Sequence, residues 1–179
     1  LIAGSAISIE VGGNAAPMDM AFNATGSKGY ISMFQSDSAH NVAIYNTASA
    51  TVSAYVDLQL PYNGGGPLNA IGVDSGSGTR IWLLNNSWEQ GGLSVVDTAD
   101  DSLVVHKDLG EDYREPRGLC VTPDGQRVFL GANGNRGAGI SSEIWVYDAS
   151  SVAHIHSIVG LSALASCIVS ADGQWLYLG

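Results

Sequence analysis

Short apolar runs recur along the whole chain, each closed by Gly, Asn, Asp or Ser. Val42-Ala43-Ile44-Tyr45 and Ile144-Trp145-Val146-Tyr147 are typical, dense in β-branched and aromatic side chains. No ten-residue window carries a helical stripe. This texture predicts many short strands joined by tight turns, and an all-β fold.

The runs keep a beat. A glycine stands four residues before an aromatic as Gly26 with Tyr30, Gly78 with Trp82, Gly125 with Phe129 and Gly173 with Tyr177. The glycine spacings are 52, 47 and 48 residues. Asn46, Asp97 and Asp148, each closing an apolar run, are spaced by 51. Pro17, Pro67 and Pro116 precede the first strand of three units, with Leu164 at that place in the fourth.

The clearest unit reads as strands at Gly118–Thr122, Arg127–Gly131, Glu143–Asp148 and about Ala153–Val159. Pro123-Asp124-Gly125 makes its first turn, because Pro presets φ and Gly accepts φ > 0. The fourth strand is the more polar, as an outer strand should be. A four-stranded unit of this length in tandem is the signature of a β-propeller blade. The expected organisation is 1–13 as the end of a preceding blade, 14–60, 61–110 and 111–160 as blades, and 161–179 as the start of another.

On these residues the chain resembles the YVTN-repeat propellers, within the wider quinoprotein amine dehydrogenase-like group. Val11-Gly12-Gly13 with Pro17, Thr25-Gly26, Tyr30-Ile31-Ser32 and Ile44-Tyr45-Asn46-Thr47 follow the order of that family's blade. Pro116, Pro123-Asp124-Gly125, Val128-Phe129-Leu130 and Val146-Tyr147-Asp148 repeat it. The second unit departs, with Gly76-Ser77-Gly78 and Trp82-Leu83-Leu84-Asn85 at the two motif positions. The resemblance implies a seven-bladed ring, of which about three and a half blades are present. A longer parent chain is the expected source of the others, ahead of a second copy or other subunits. The chain starts without an initiator Met and is read as a mature or truncated product.

Composition then narrows the partners. Seven basic against 17 acidic side chains give a net charge of −10, which repels phosphate backbones and anionic lipid. Nucleic acid is excluded as a partner, and no apolar stretch is long enough for membrane insertion.

Candidate chemistry is sparse. The inter-blade segment Glu111-Asp112-Tyr113-Arg114-Glu115-Pro116-Arg117 is the densest charge cluster. In a propeller it lies near the connections after the second strands. Trp88, Glu89, Asp112, Arg114, Glu115, Arg117, Asn133 and Arg136 therefore form the candidate binding set, able to grip an anionic or sugar-like group. The competing reading is a solvated loop closed by its own ion pairs. His154 and His156 alternate on one strand and are expected to share a face, without a third metal ligand. Asp97, Asp100 and Asp101 read as turn-capping carboxylates, since the spacing is not that of a calcium loop.

Cys120 and Cys167 lie on first strands of neighbouring units, one residue out of register, and are expected to be free thiols on opposite faces. Sequons occur at Asn23-Ala24-Thr25 and Asn85-Asn86-Ser87, both placed in turns or loops. No nucleophile, phosphate-loop or dinucleotide motif appears, so no cofactor and no catalytic set is assigned. The expected role is a binding or scaffold module for a protein or carbohydrate, secreted, periplasmic or at the cell surface. The alternatives are a part of an enzyme, amine dehydrogenase heavy-chain-like or lactonase-like, and a structural module of a surface layer or filament.

Overall fold

The computed structural model describes residues 16–34, 41–58, 69–74, 76–86, 91–109, 116–132, 142–161 and 166–179. They form antiparallel meanders and, among the described residues, no helix. The first sheet runs β1 (Ala16–Phe22), β2 (Lys28–Phe34), β3 (Val42–Asn46) and β4 (Thr51–Val56), in that order. The second runs β5 (Asn69–Asp74), β6 (Arg80–Asn86), β7 (Gly91–Asp97) and β8 (Leu103–Asp108). The third runs β9 (Pro116–Val121), β10 (Arg127–Ala132), β11 (Ser142–Asp148) and β12 (Ala153–Leu161). A two-stranded sheet, β13 (Cys167–Val169) with β14 (Leu176–Leu178), follows.

The middle strands are apolar at consecutive positions because both of their faces are buried. Ile81 and Leu83 of β6 pack with Tyr30, Val42, Ile44, Val56 and Leu58 of the first sheet. Trp82 and Leu84, on the other face of the same strand, pack with Val121, Val128, Leu130 and Tyr147 of the third. The second sheet is thus a slab between the first and the third, and the strand period of two decides which neighbour a side chain meets. The first strands β1, β5, β9 and β13 contact one another in sequence, while β12 on the outside is mostly exposed. The arrangement is a partial β-propeller.

Three backbone features repeat with the blades. Gly26, Gly78, Gly125 and Gly173 all sit at the turn after a first strand with φ of +69°, +76°, +68° and +71°. Asn46, Asp97 and Asp148 accept backbone N–H groups two or three residues on, which closes the turn after each third strand. Four residues after each of these carboxamide or carboxylate caps stands a left-handed residue: Ala50, Asp101 and Val152. A bulge follows in every fourth strand, where the partners skip Ser53, Val104 and Ile155.

That bulge corrects one sequence expectation. His154 lies opposite Tyr147 and His156 opposite Val146, adjacent residues on opposite faces of β11. The two imidazoles therefore do not share a face. Asn85 is corrected as well: it lies in β6, not in a loop, and its side chain is buried at 4% exposed.

The cysteines give the largest correction. Cys120 and Cys167 form a disulfide, with Cα atoms 5.8 Å apart. The one-residue offset sends side chains to opposite faces only for strands of one sheet. β9 and β13 belong to sheets stacked face to face. Val121 faces back into the core with the second sheet, so Cys120 faces forward. Cys167, out of step with the equivalent Ile168, faces back to meet it. An odd offset is what a bond between stacked sheets requires.

Candidate functional site

Because every sheet is a meander, its connections fall at two ends. One end carries the turns after first and third strands, which are described apart from residue 75. The other carries the connections after second and fourth strands. Trp88, Glu89, Asp112, Arg114, Glu115, Asn133 and Arg136 lie outside the described residues. Arg117 is in β9, and its side chain also lies outside the description.

At the turn end, the sheets are tied by a repeated cation contact that sequence reasoning missed. Lys28, at the start of β2, reaches the third-strand turn of the next blade, with Nζ 2.7 Å from Asp101 Oδ2 and 3.5 Å from the Thr98 carbonyl. The Tyr30 hydroxyl donates to Asp101 Oδ1 at 2.5 Å. Burial and the Asp101 carboxylate push the Tyr30 hydroxyl far above the ordinary phenol range. Of the aspartates expected to cap this turn, Asp97 and Asp100 do so, through Ala99 N and Ser102 N. Asp101 instead holds two blades together.

Arg80 occupies the same place one blade on, 52 residues after Lys28, and its Nη1 donates to the Ala149 carbonyl at 2.9 Å. Here no carboxylate among the described residues pairs with the cation. The position equivalent to Asp101 is Val152, 51 residues later, and the position equivalent to Tyr30 is Trp82. Trp82 and Val152 share one apolar cluster, so the polar pair of the first junction is an apolar pair in the second.

A groove of about 420 Å³ opens beside Arg80, lined among others by Ser77, Thr79, Asp124, Arg127 and Asp148. Its carboxylates are already committed. Asp148 Oδ1 accepts from the amides and hydroxyls of Ser150 and Ser151, and Oδ2 from Arg127 Nη1 at 3.1 Å. The bonds from Ser150 and Ser151 hold the Asp148 carboxyl down at about 2. Asp124 accepts from Thr122 Oγ1 and Gln126 N, which lowers it too. Arg127 also donates to the Gln126 carbonyl. The signal for this site stood in the sequence as Lys28 and Arg80 recurring with Gly26 and Gly78.

A second polar group is internal. Asn85 Nδ2 donates to Ser94 Oγ at 2.7 Å, and Ser94 Oγ is 2.9 Å from His106 Nδ1. Asn85 Oδ1 is buried with no hydrogen-bond partner among the described residues. Burial lowers the His106 pKa, opposed by the charge of Asp108. Among the described residues, no three His, Cys, Asp or Glu side chains gather as metal ligands would.

No protein family and no curated protein matches the chain. Solved structures do match its fold. A Dos1 propeller superposes with TM-score 0.63 at 10% identity, covering 90% of this chain and 42% of the other. Hydrazine synthase of Kuenenia stuttgartiensis superposes with TM-score 0.52 at 17% identity, covering 98% and 58%. At these identities the similarity shows the fold alone. The chain spans about half the length of these propeller-containing chains.

Proposed function

We propose that this chain is part of a YVTN-type propeller acting as a binding or scaffold module, which engages a protein or carbohydrate through the connections after its second and fourth strands. The observation that carries this reading is the asymmetry of the two ends. Turns at one end are short, capped and stitched blade to blade. The other end receives the connections 35–41, 57–68, 109–115 and 133–141, each longer than any of those turns up to Arg127, together with the four-residue connection 87–90. These hold the candidate set apart from Arg117 at the start of β9. Loops that are long, polar and mounted on a rigid stack are where binding residues concentrate. An enzyme-subunit role has no observation of its own in its favour.

Further blades complete the ring in this reading. Met20 and Phe22 on one outer face, and Ile168, Trp175 and Tyr177 on the other, are 41–66% exposed where inner sheets bury such positions. Packing against more four-stranded sheets would cover both faces. The Cys120–Cys167 disulfide supports an oxidising compartment, hence a secreted, periplasmic or surface location.

Two measurements test the reading. Intact and native mass of the natural polypeptide should reveal additional blades, in a longer chain or in a partner subunit. A lone 179-residue monomer would contradict it. Binding to a panel of defined glycans and purified surface proteins should then be lost in Arg114→Ala/Arg117→Ala at unchanged melting temperature. Binding that survives the double change would remove the candidate loop end from the function.

A further inference from the structure

The groove between the second and third sheets sets Arg80 among hydroxyls and amides, with the Arg127–Asp148 pair and the turn-bound Asp124 also in its wall. The molecule contains its own reference for what an occupied junction looks like. In the first junction the cation Lys28 is neutralised by Asp101 at 2.7 Å. In the second, Arg80 stands at the equivalent position with no carboxylate in ion-pair range among the described residues, and Val152 replaces the aspartate. A guanidinium presents five N–H donors, and the described bonds of Arg80 use one nitrogen, on a single carbonyl. The neighbouring carboxylates do not substitute. Asp148 and Asp124 are spent on their own turns and on Arg127.

We propose that this groove binds a sugar acid, with Arg80 taking the carboxylate. A guanidinium fork matches a carboxylate in two parallel hydrogen bonds, which a lone ammonium cannot reproduce. Around it the lining is polar, with the hydroxyls of Ser77, Thr79 and Ser150 and the amide of Gln126. Hydroxyls and amides both give and accept hydrogen bonds, as the ring hydroxyls of a sugar do. The volume, about 420 Å³, lies within the range of small-ligand sites. The groove is at the turn end, opposite the loop end invoked above, so it stands or falls separately.

The test is a titration of the isotope-labelled native protein with sodium glucuronate, followed by amide resonances of Ser77, Thr79 and Ser150. Saturable shifts are expected with glucuronate, and none with glucose, which has hydroxyls but no charge. Arg80→Gln should weaken binding by about tenfold or more. Arg80→Lys keeps the charge and the reach to the Ala149 carbonyl, and should also bind more weakly while folding normally. Lys28→Gln, at the neutralised position of the other junction, should leave affinity within about threefold. Absence of a saturable shift, or unchanged affinity in a folded Arg80→Gln or Arg80→Lys protein, overturns the site. Acetate or N-acetylaspartate binding as tightly as glucuronate overturns its assignment to a sugar acid.

Discussion

The Tyr30 hydroxyl and the Asp101 carboxylate, 71 residues apart in the chain, meet at 2.5 Å across the junction of the first two blades. Asp101 also receives Lys28 Nζ on its other oxygen, so one side chain closes both partners. Its backbone is left-handed at φ 63°, a conformation that Asp and Asn tolerate better than most residues.

Asp101→Asn keeps the backbone preference and removes the charge. It should cost about 1–3 kcal/mol, because Lys28 loses its partner and the buried Tyr30 hydroxyl a strong acceptor. Urea unfolding of the variant checks this, and an unchanged midpoint would mean that the junction does not depend on the pair.

Gly78 is the turn position with least room. A Cβ there would lie 2.3 Å from Ala24 N and 2.6 Å from Ala24 Cα, in a backbone at φ +76°. The same approach allows Ala24 N to donate to the Gly78 carbonyl at 3.0 Å. Gly78→Ala should therefore destabilise by about 2–4 kcal/mol, combining strain with the loss of an inter-blade contact. Gly26, with nothing near its missing Cβ, should lose only the strain component when changed to Ala. Thermal melts of the two variants side by side would separate the effects.

The disulfide closes a loop with a sequence separation of 47 and ties β13 to β9. Loop-closure entropy gives such a bond about 4 kcal/mol. Reduction, or Cys120→Ser/Cys167→Ser, should lower the melting temperature and speed proteolysis within 166–179. A non-reducing peptide map should recover the two cysteines in one linked peptide. Separate thiol peptides from the native protein would refute the pairing.

His106 makes stability depend on pH. Burial lowers its folded pKa below the ordinary 6.5, so the unfolded chain binds the proton more readily. Its contribution is complete above pH 6.5 and declines as pH falls through the folded value. Ser94, accepting from Asn85, has its hydroxyl hydrogen available for a neutral Nδ1, which fits the same direction. Between pH 7.5 and 5.5 the wild type should lose melting temperature relative to His106→Gln. Parallel pH profiles would mean that folding leaves the proton affinity of the ring unchanged.

The order of strands was legible in the sequence because two local signals coincide in each unit. Turns that need φ > 0 demand glycine, which marked Gly26, Gly78, Gly125 and Gly173. Strands buried on both faces demand unbroken apolar runs, such as Ile81-Trp82-Leu83-Leu84. The left-handed positions after the third strands were not legible. They are Ala50, Asp101 and Val152, three residue types with no shared chemistry, held there by the caps at Asn46, Asp97 and Asp148. The bulges beyond them reversed the faces expected for His154 and His156.

The chain by itself determined the repeat, the four-stranded unit and the inside-to-outside order of the strands, since each depends on residues close together in sequence. Which residues meet between units was decided only in three dimensions. Stacking sheets face to face inverts the parity rule that holds within a sheet, and that inversion joins Cys120 to Cys167. The same stacking sets Lys28 against Asp101, and leaves Arg80 lining an open groove, with Val152 at the position equivalent to Asp101 turned into the apolar cluster.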